Sequence, residues 1–138
     1  MEKHIIVLED DPFLKEFYNL VFRKLAAKIT ILEDGDKFYN ILQTESVSLV
    51  LMDINLRNTY FMSRKVDGIF LSKLVKNDPK LNFIPIVLVT AYTLNKTNSN
   101  MFFESKANDY FVKPITDINL FLTKIKSLME ESWIKTVS

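Results

Sequence analysis

Five short apolar runs alternate with amphipathic stretches along this chain, and this alternation restricts the possible folds more than any other feature. The first run, Ile5-Ile6-Val7-Leu8, is apolar at consecutive positions rather than at every second one. Continuous runs of this kind predict strands that are buried on both faces, as in parallel sheets. The predicted strands cover residues 5–8, 29–32, 47–52, 84–89 and 110–112.

The segments between and after these runs carry apolar residues at helical spacing. The first such stripe runs from Leu14 to Leu25 and follows Asp11, a predicted N-cap residue. Five βα units in succession predict an α/β fold, a doubly wound parallel sheet with helices on both faces. The predicted helices cover about 12–26, 36–43, 68–76 and 96–105, and the last begins after Asp117. The polar and basic segment 54–66 is predicted to be a long loop.

Polar residues directly follow four of the predicted strands. Glu9-Asp10-Asp11 follow the first strand, Asp53 the third, Thr90-Ala91 the fourth and Lys113-Pro114 the fifth. The carboxyl ends of parallel strands share one edge of the sheet, where ligand sites form near the switch point of strand order. We therefore expect carboxylates, a hydroxyl and an ammonium to meet at this edge.

Such a cluster suits a hard divalent cation and a phosphoryl group. Mg²⁺ takes oxygen ligands and keeps several waters, so carboxylate oxygens of Asp10 and Asp53 are candidate ligands, with Glu9 acting through a water. The backbone carbonyl of Asn55 is a further candidate. A carboxylate can also attack phosphorus to form an acyl phosphate. We interpret the chain as a phosphate-accepting switch with Asp53 as the acceptor.

The residues after the last two strands fit the same chemistry. The Lys113 ammonium can neutralise one phosphoryl oxygen, and the Thr90 hydroxyl can donate to another. The small Ala91 side chain allows a close backbone approach. Pro114 is a candidate cis proline that would aim the ammonium inward. Each residue alone is an ordinary cap or turn residue, and only their ordered combination favours a site.

Composition excludes several classes of protein. The chain has no cysteine, which rules out disulfides and thiolate metal sites. Its net charge of +1 predicts no strong attraction to nucleic acid or to an anionic membrane. No apolar run is long enough for a membrane span or a signal peptide. We expect a soluble cytoplasmic protein with no nucleic-acid or membrane partner, in one domain over 1–138 with a core of about 3–129 and a tail at 130–138.

The chain resembles the receiver domain of bacterial two-component response regulators. The matching motifs lie at residues 7–12, 51–56, 67–68, 89–91 and 107–115. The resemblance covers nearly the whole chain and implies a flavodoxin-like fold with five helices and five parallel strands in the order 2-1-3-4-5. It implies a signalling domain, with no enzymatic activity beyond its own phosphorylation and dephosphorylation. Asp53 would accept a phosphoryl group from a histidine kinase or a histidine phosphotransfer protein.

The resemblance also implies the roles of the residues around the acceptor. Glu9 and Asp10 would form the acid pair that holds Mg²⁺ together with Asp53, and Asn55 would supply its backbone carbonyl. Mn²⁺ could substitute for Mg²⁺ as the cofactor. An aspartyl phosphatase is disfavoured, because such enzymes typically carry a second Asp at the position of Asn55 as general acid.

A conformational switch is a further implication of the resemblance. Thr90 and Lys113 would contact the phosphoryl group, and Tyr110 would rotate from an exposed to a buried position. The face formed by helix 4, strand 5 and helix 5 would then change its affinity for a downstream target. Tyr92 and Asn55 flank the expected path of water to the acyl phosphate and could tune its lifetime.

Two departures from the family pattern stand out. The distance from Asp53 to Asp67 implies an insertion of about seven residues in the loop at 57–66. The insertion is interpreted either as a tolerated surface excursion or as a segment that contacts a partner or gates the site. Lys106 replaces a usual glycine, which costs roughly 1 kcal/mol if the position needs a left-handed backbone.

Two alternatives concern the function as a whole. The chain is expected to act as a stand-alone receiver, although it could equally be cut from a longer protein. A pseudo-receiver that binds partners without phosphorylation is the second hypothesis. The complete set of Glu9, Asp10, Asp53, Thr90 and Lys113 argues against it.

Overall fold

The structure is a computed structural model that describes residues 2–91 and 99–137, with side chains up to Glu130. Its elements in chain order are β1 (Lys3–Leu8), α1 (Pro12–Phe22), β2 (Ala27–Leu32), α2 (Gly35–Thr44), β3 (Leu49–Asp53), β4 (Tyr60–Phe61), β5 (Arg64–Lys65), α3 (Gly68–Lys76), β6 (Ile86–Thr90), α4 (Ser99–Ser105), β7 (Asp109–Val112) and α5 (Ile118–Val137).

Five of the strands form one parallel sheet in the order β2-β1-β3-β6-β7. Counted among these five strands alone, the order is 2-1-3-4-5, so the predicted flavodoxin-like topology is confirmed. β3 lies at the centre of the sheet, and its last residue is Asp53. The sheet therefore presents this aspartate at the middle of its carboxyl edge.

Alternate residues of each central strand pack into two separate cores, one on each face of the sheet. Ile6 and Leu8 of β1 belong to the core beneath α2 and α3, whereas Ile5 and Val7 belong to the core beneath α1 and α5. Phe121 of α5 is fully buried in the second core. Burial on both faces explains why the strands read as continuous apolar runs, since each buried Leu, Ile or Val contributes about 1.5–3 kcal/mol.

Several element boundaries differ from the predicted ones. α1 begins after Asp11, whose carboxylate caps it as predicted by accepting the Phe13 N–H at 2.8 Å. The helix ends at Phe22 rather than Ala26, because the chain turns back so that Ala27 pairs with Lys3. α5 continues through the predicted tail to Val137. Residues 92–98, which include Tyr92 and the start predicted for helix 4, lie outside the described residues.

The prediction of a long loop at 54–66 is wrong for residues 60–61 and 64–65, which form strands. β4 and β5 pair as an antiparallel hairpin, here called the insertion hairpin (residues 57–66), with Tyr60 opposite Lys65. Its turn residues Met62 and Ser63 both have positive φ, at 50° and 68°. Two-residue hairpin turns with this conformation usually carry Asn or Gly, and neither residue is present to signal the turn.

The insertion hairpin is seated against α2 and α3. The Phe61 ring lies 5.8 Å from that of Tyr39 and 6.2 Å from that of Phe70, measured between ring centroids. Both carboxylate oxygens of Asp36 lie within hydrogen-bond distance of the Met62 N–H, at 3.2 and 3.3 Å. These contacts seat the insertion against α2 and α3, so it packs as part of the fold.

Replacing Thr59 with valine should raise stability. Thr59 is fully buried at the base of the insertion hairpin, and its hydroxyl has no hydrogen-bond partner among the described residues. An unpaired buried hydroxyl costs about 1–3 kcal/mol, and valine has nearly the same shape. We expect Thr59→Val to increase the free energy of unfolding by about 1 kcal/mol in urea titrations. Thr123→Val is the control, because the Thr123 hydroxyl bonds the Asn119 carbonyl. A loss of stability in Thr59→Val would contradict the prediction.

Candidate functional site

A cavity of about 390 Å³ opens at the carboxyl edge of the sheet. It is lined by residues at the carboxyl ends of four different strands, β1, β3, β6 and β7, which the parallel order brings together. Six residues predicted for the site line this cavity: Glu9, Asp10, Asp53, Asn55, Ala91 and Lys113. The shared parallel direction of the strands therefore gathers groups such as Glu9 and Lys113, which lie more than a hundred residues apart in the chain.

Asp53 is almost completely buried at the base of this cavity, with 4% of its surface exposed. One carboxylate oxygen, Oδ1, accepts the backbone N–H of Asn55 at 2.9 Å. The other, Oδ2, accepts a hydrogen bond from the Lys113 ammonium at 3.0 Å. Both oxygens are thus held by donors that stabilise negative charge.

Lys113 reaches the acceptor from the end of β7. Its backbone N–H donates to the Thr90 carbonyl at 2.8 Å, which ties the two strand ends together. The peptide bond between Lys113 and Pro114 is cis. The ammonium also lies 3.9 Å from Oε1 of Glu9, so one cation serves two buried carboxyl groups.

Glu9 is the most deeply buried acid of the site, with 1% of its surface exposed. Its Oε2 accepts the backbone N–H groups of Asp10 and Asp11 at 3.1 and 3.2 Å. Its Oε1 has no donor among the described residues. Burial, followed by the hydrogen bond to Asp53 and the charge of Asp53, raises the pKa of Glu9 to about 8. A protonated Glu9 can donate to the Asp53 carboxylate.

This shift links the site to stability. The pKa of Glu9 rises from an ordinary value of 4.5 on folding, so its ionisation opposes folding. The stabilising contribution of protonated Glu9 to the free energy of unfolding is fully present below about pH 4.5 and is lost as the pH rises through about 8. A cation beside Glu9 would remove this conflict, because it favours the ionised form.

Asp10 has a contact that the sequence did not reveal. Its Oδ2 accepts the backbone N–H groups of Arg57 and Asn58 at 2.7 and 2.9 Å, so the base of the insertion hairpin holds this carboxylate. Within residues 2–91 and 99–130, no three acidic or histidine side chains converge as a preformed metal site. The acids predicted as ligands therefore line one cavity without forming a preformed cluster among the described residues.

The residues nevertheless fit Mg²⁺. This cation needs only one or two carboxylates and keeps several of its own waters, so a preformed cage is not required. The buried Oε1 of Glu9, which lacks a donor in the described part of the chain, is a carboxylate oxygen that a cation or its water would satisfy. Asp10, Asp53 and Asn55 line the same cavity, and their carboxylate and backbone oxygens would complete an all-oxygen donor set.

Two residues predicted to take part in the switch, Thr90 and Tyr110, are not among the residues that line the cavity. Thr90, the last residue of β6, is buried and pairs with Val112 beside the site. Tyr110 is half-buried, does not line the cavity, and packs its ring 5.4 Å from that of Phe102 on α4. Its movement on activation stays a prediction.

Lys106, which stands where the family usually has glycine, adopts a left-handed backbone conformation with φ of 60°. Its backbone N–H donates to the Phe103 carbonyl at 3.2 Å, which closes the turn after α4. Its ammonium donates to the Asn77 side chain. The turn is thus formed despite the strain of a non-glycine residue, and Lys106 does not line the cavity that holds Asp53.

The sequence model of the response regulator receiver domain family matches residues 5–126. The chain belongs to the response regulator receiver domain family. It is a receiver domain of two-component signal transduction, and its doubly wound sheet with the acid-lined carboxyl edge agrees with that assignment.

The curated relatives are longer proteins. Regulatory protein VirG of Agrobacterium tumefaciens (strain 15955) is 27% identical over 124 residues, which cover 90% of this chain and 42% of VirG. Transcriptional regulatory protein CrdR of Helicobacter pylori is 28% identical over 135 residues, which cover 98% of this chain and 59% of CrdR. The chain spans about half the length of these relatives. Since CrdR is a transcriptional regulator, the absence of a nucleic-acid partner stays a prediction.

Solved receiver domains share the fold. The receiver domain of a sensor histidine kinase from Pseudomonas aeruginosa PAO1, with a magnesium ion coordinated in its active site cleft, superposes with a TM-score of 0.77 at 20% identity, covering 94% of this chain and 99% of that one. A CheY-like receiver domain from Methanospirillum hungatei JF-1 gives 0.79 at 20% identity, covering 98% and 99%. Among the described residues, no helix combines the length and apolarity that a membrane crossing requires.

Proposed function

We propose that this receiver domain accepts a phosphoryl group on Asp53 from a phosphohistidine of a histidine kinase or histidine phosphotransfer protein. The observation that carries the proposal is the buried Asp53 carboxylate, held by the Asn55 N–H on one oxygen and the Lys113 ammonium on the other. This arrangement fixes the position of a nucleophile at the base of an open cavity. Phosphoryl transfer depends chiefly on such positioning and on charge neutralisation.

The transfer step uses the acceptor carboxylate directly. An oxygen of Asp53 attacks the phosphorus and forms the acyl phosphate bond, while the phosphorus–nitrogen bond of the donor breaks and leaves its electron pair on the imidazole nitrogen. The Lys113 ammonium, which pairs with Asp53 before transfer, then neutralises a phosphoryl oxygen. The Thr90 hydroxyl and the backbone beside Ala91 would orient the same group.

Mg²⁺ is the proposed cofactor, with Mn²⁺ as a substitute. Glu9, Asp10, Asp53 and the Asn55 carbonyl would hold it, and it would neutralise charge on the phosphoryl oxygens. Two observations support this assignment: the donor-free buried oxygen of Glu9 and the magnesium ion in the active site cleft of the Pseudomonas aeruginosa receiver domain.

The proposed output is a change in partner binding. The face of α4, β7 and α5 would contact a downstream target, and Tyr110, packed against Phe102 at this face, would report phosphorylation to it. A signalling role of this kind needs no reaction on a separate substrate. Action in the cytoplasm and without an attached output domain stays a prediction.

One observation favours a second candidate function, a pseudo-receiver that binds partners without phosphorylation. Asp10 is bonded to Arg57 and Asn58, and no preformed three-acid site exists within the described part of the chain. If the insertion hairpin kept Asp10 from a cation, phosphoryl transfer would lose one metal ligand.

Intact-protein mass after incubation with acetyl phosphate tests the proposal. We expect wild type to gain one phosphoryl group when Mg²⁺ is present and to gain little without it. Asp53→Asn should abolish the gain, since an amide oxygen is a poor nucleophile. Asp34→Asn is the matched control, because Asp34 only caps α2. A gain that persists in Asp53→Asn would contradict the acceptor assignment, and no gain in any variant would favour the pseudo-receiver.

A further inference from the structure

The insertion hairpin makes its contact with the acidic cavity through Asp10. The backbone N–H groups of Arg57 and Asn58 both donate to Oδ2 of Asp10, at 2.7 and 2.9 Å. Hydrogen bonds to an ionised carboxylate are stronger than neutral ones, and two of them on one oxygen fix the orientation of the side chain. No hydrogen bond from the described residues reaches the other oxygen, Oδ1.

The position of these two N–H groups depends on the contact between the insertion hairpin and the start of α2, which lies outside the cavity. A methyl group on Gly35 would stand 2.5 Å from the Tyr60 carbonyl oxygen and 3.1 Å from Phe61 Cβ, so α2 and the insertion hairpin meet without room for a side chain. Asp36 holds the hairpin turn through the Met62 N–H. The start of α2 therefore sets where the hairpin, and with it the base at residues 57–58, can lie.

We infer that the insertion hairpin positions the metal ligand Asp10, so that seating of the hairpin on α2 and binding of Mg²⁺ stabilise each other. The inference rests on the proposed function, which makes Asp10 a ligand. Carboxylates that bind metals are commonly oriented by hydrogen bonds to their second oxygen, and loss of such partners weakens metal affinity about 10–100-fold. Arg57 and Asn58 act as positioning residues through their backbone, and the insertion is then more than a tolerated surface excursion.

Titration calorimetry with MgCl₂ on the full chain tests the coupling. Gly35→Ala would push the Tyr60 carbonyl away, and Asp36→Ala would remove the acceptor at the hairpin turn. We expect both variants to bind Mg²⁺ about 10-fold more weakly than wild type. Lys37→Ala is the matched control, since Lys37 is an exposed residue of the same helix turn. Circular dichroism at the same temperature shows that each variant is folded, so a lost fold is not mistaken for lost coupling.

Amide hydrogen exchange gives a second measurement. If the insertion hairpin had only a structural role, Mg²⁺ would not change the exchange rates of its amides. Because coupling is reciprocal, Mg²⁺ should slow exchange of the Arg57 and Asn58 amides in wild type and have a smaller effect in Gly35→Ala. Unchanged Mg²⁺ affinity in both variants would overturn the inference and leave the proposed function intact. Faster exchange with Mg²⁺ would overturn it as well, since the hairpin and the cation would then compete for Asp10. Absence of Mg²⁺ binding to wild type would overturn both.

Discussion

Lys113→Met should lower the free energy of unfolding by about 3 kcal/mol in metal-free buffer, because it leaves a buried carboxylate without its cation. The Lys113 ammonium lies 3.0 Å from Asp53 and 3.9 Å from Glu9, whose side chains are 5% and 1% exposed. Methionine keeps the length of the apolar stem and removes only the charge. Urea unfolding in the presence of a chelator measures the loss, and addition of Mg²⁺ should recover a large part of it.

The control for this experiment is a lysine in an exposed ion pair. Lys124 lies 3.5 Å from Asp109, and both side chains are accessible to solvent. Pairs of this kind are worth about 0–1 kcal/mol, so Lys124→Met should have little effect. An equal loss in the two variants would show that Lys113 acts as an ordinary surface charge. The phosphorylation rate with acetyl phosphate should fall in Lys113→Met only.

Gly68→Ala should be more disruptive than Gly35→Ala, the other glycine substitution in the chain. A methyl group on Gly68 would stand 2.1 Å from the Asp53 carbonyl oxygen and 3.0 Å from Ile54 Cα, and both are backbone atoms. The added methyl group would push α3 and β3 apart, and β3 cannot shift without moving Asp53, since this strand is central in the sheet and fully buried. We expect a loss of about 3 kcal/mol in urea unfolding, at the upper end of the usual effect of overpacking.

Gly35→Ala provides the comparison for this prediction. Its methyl group would meet the Tyr60 carbonyl at 2.5 Å, but the insertion hairpin is a two-stranded surface element that can shift. We expect a loss of about 1 kcal/mol, near the lower end for overpacking. Gly68→Ala should also slow phosphorylation of Asp53, because the acceptor is displaced with its backbone. A smaller loss in Gly68→Ala than in Gly35→Ala would contradict the reasoning.

The sheet and the residues at its carboxyl edge could be predicted because each depends on a local signal. Runs such as residues 5–8 are apolar at every position, which is typical of a strand buried on both faces. Once the strands are parallel, Asp53 and Lys113 must emerge at the same edge. The chain topology then brings them to a hydrogen-bond distance of 3.0 Å.

The insertion hairpin could not be predicted from its own residues. Its turn uses Met62 and Ser63 with positive φ, and neither residue type signals such a turn. What holds it in place lies elsewhere in the chain, in the carboxylate of Asp36 and the missing side chain of Gly35. The end of α1 was missed for a similar reason, since pairing of Ala27 with Lys3 is a long-range contact.

The sequence by itself determined the five strands of the main sheet, the doubly wound class and the group of residues at its carboxyl edge, because apolar periodicity is a property of each segment and the βα alternation makes the strands parallel. Only the tertiary structure decided how the acids are used: Glu9 is buried beside Asp53, and Asp10 is bonded to Arg57 and Asn58. Burial and hydrogen bonding of a carboxylate depend on neighbours that are distant in sequence. Arg57, for example, lies 47 residues from Asp10, and no local pattern of residues indicates this contact.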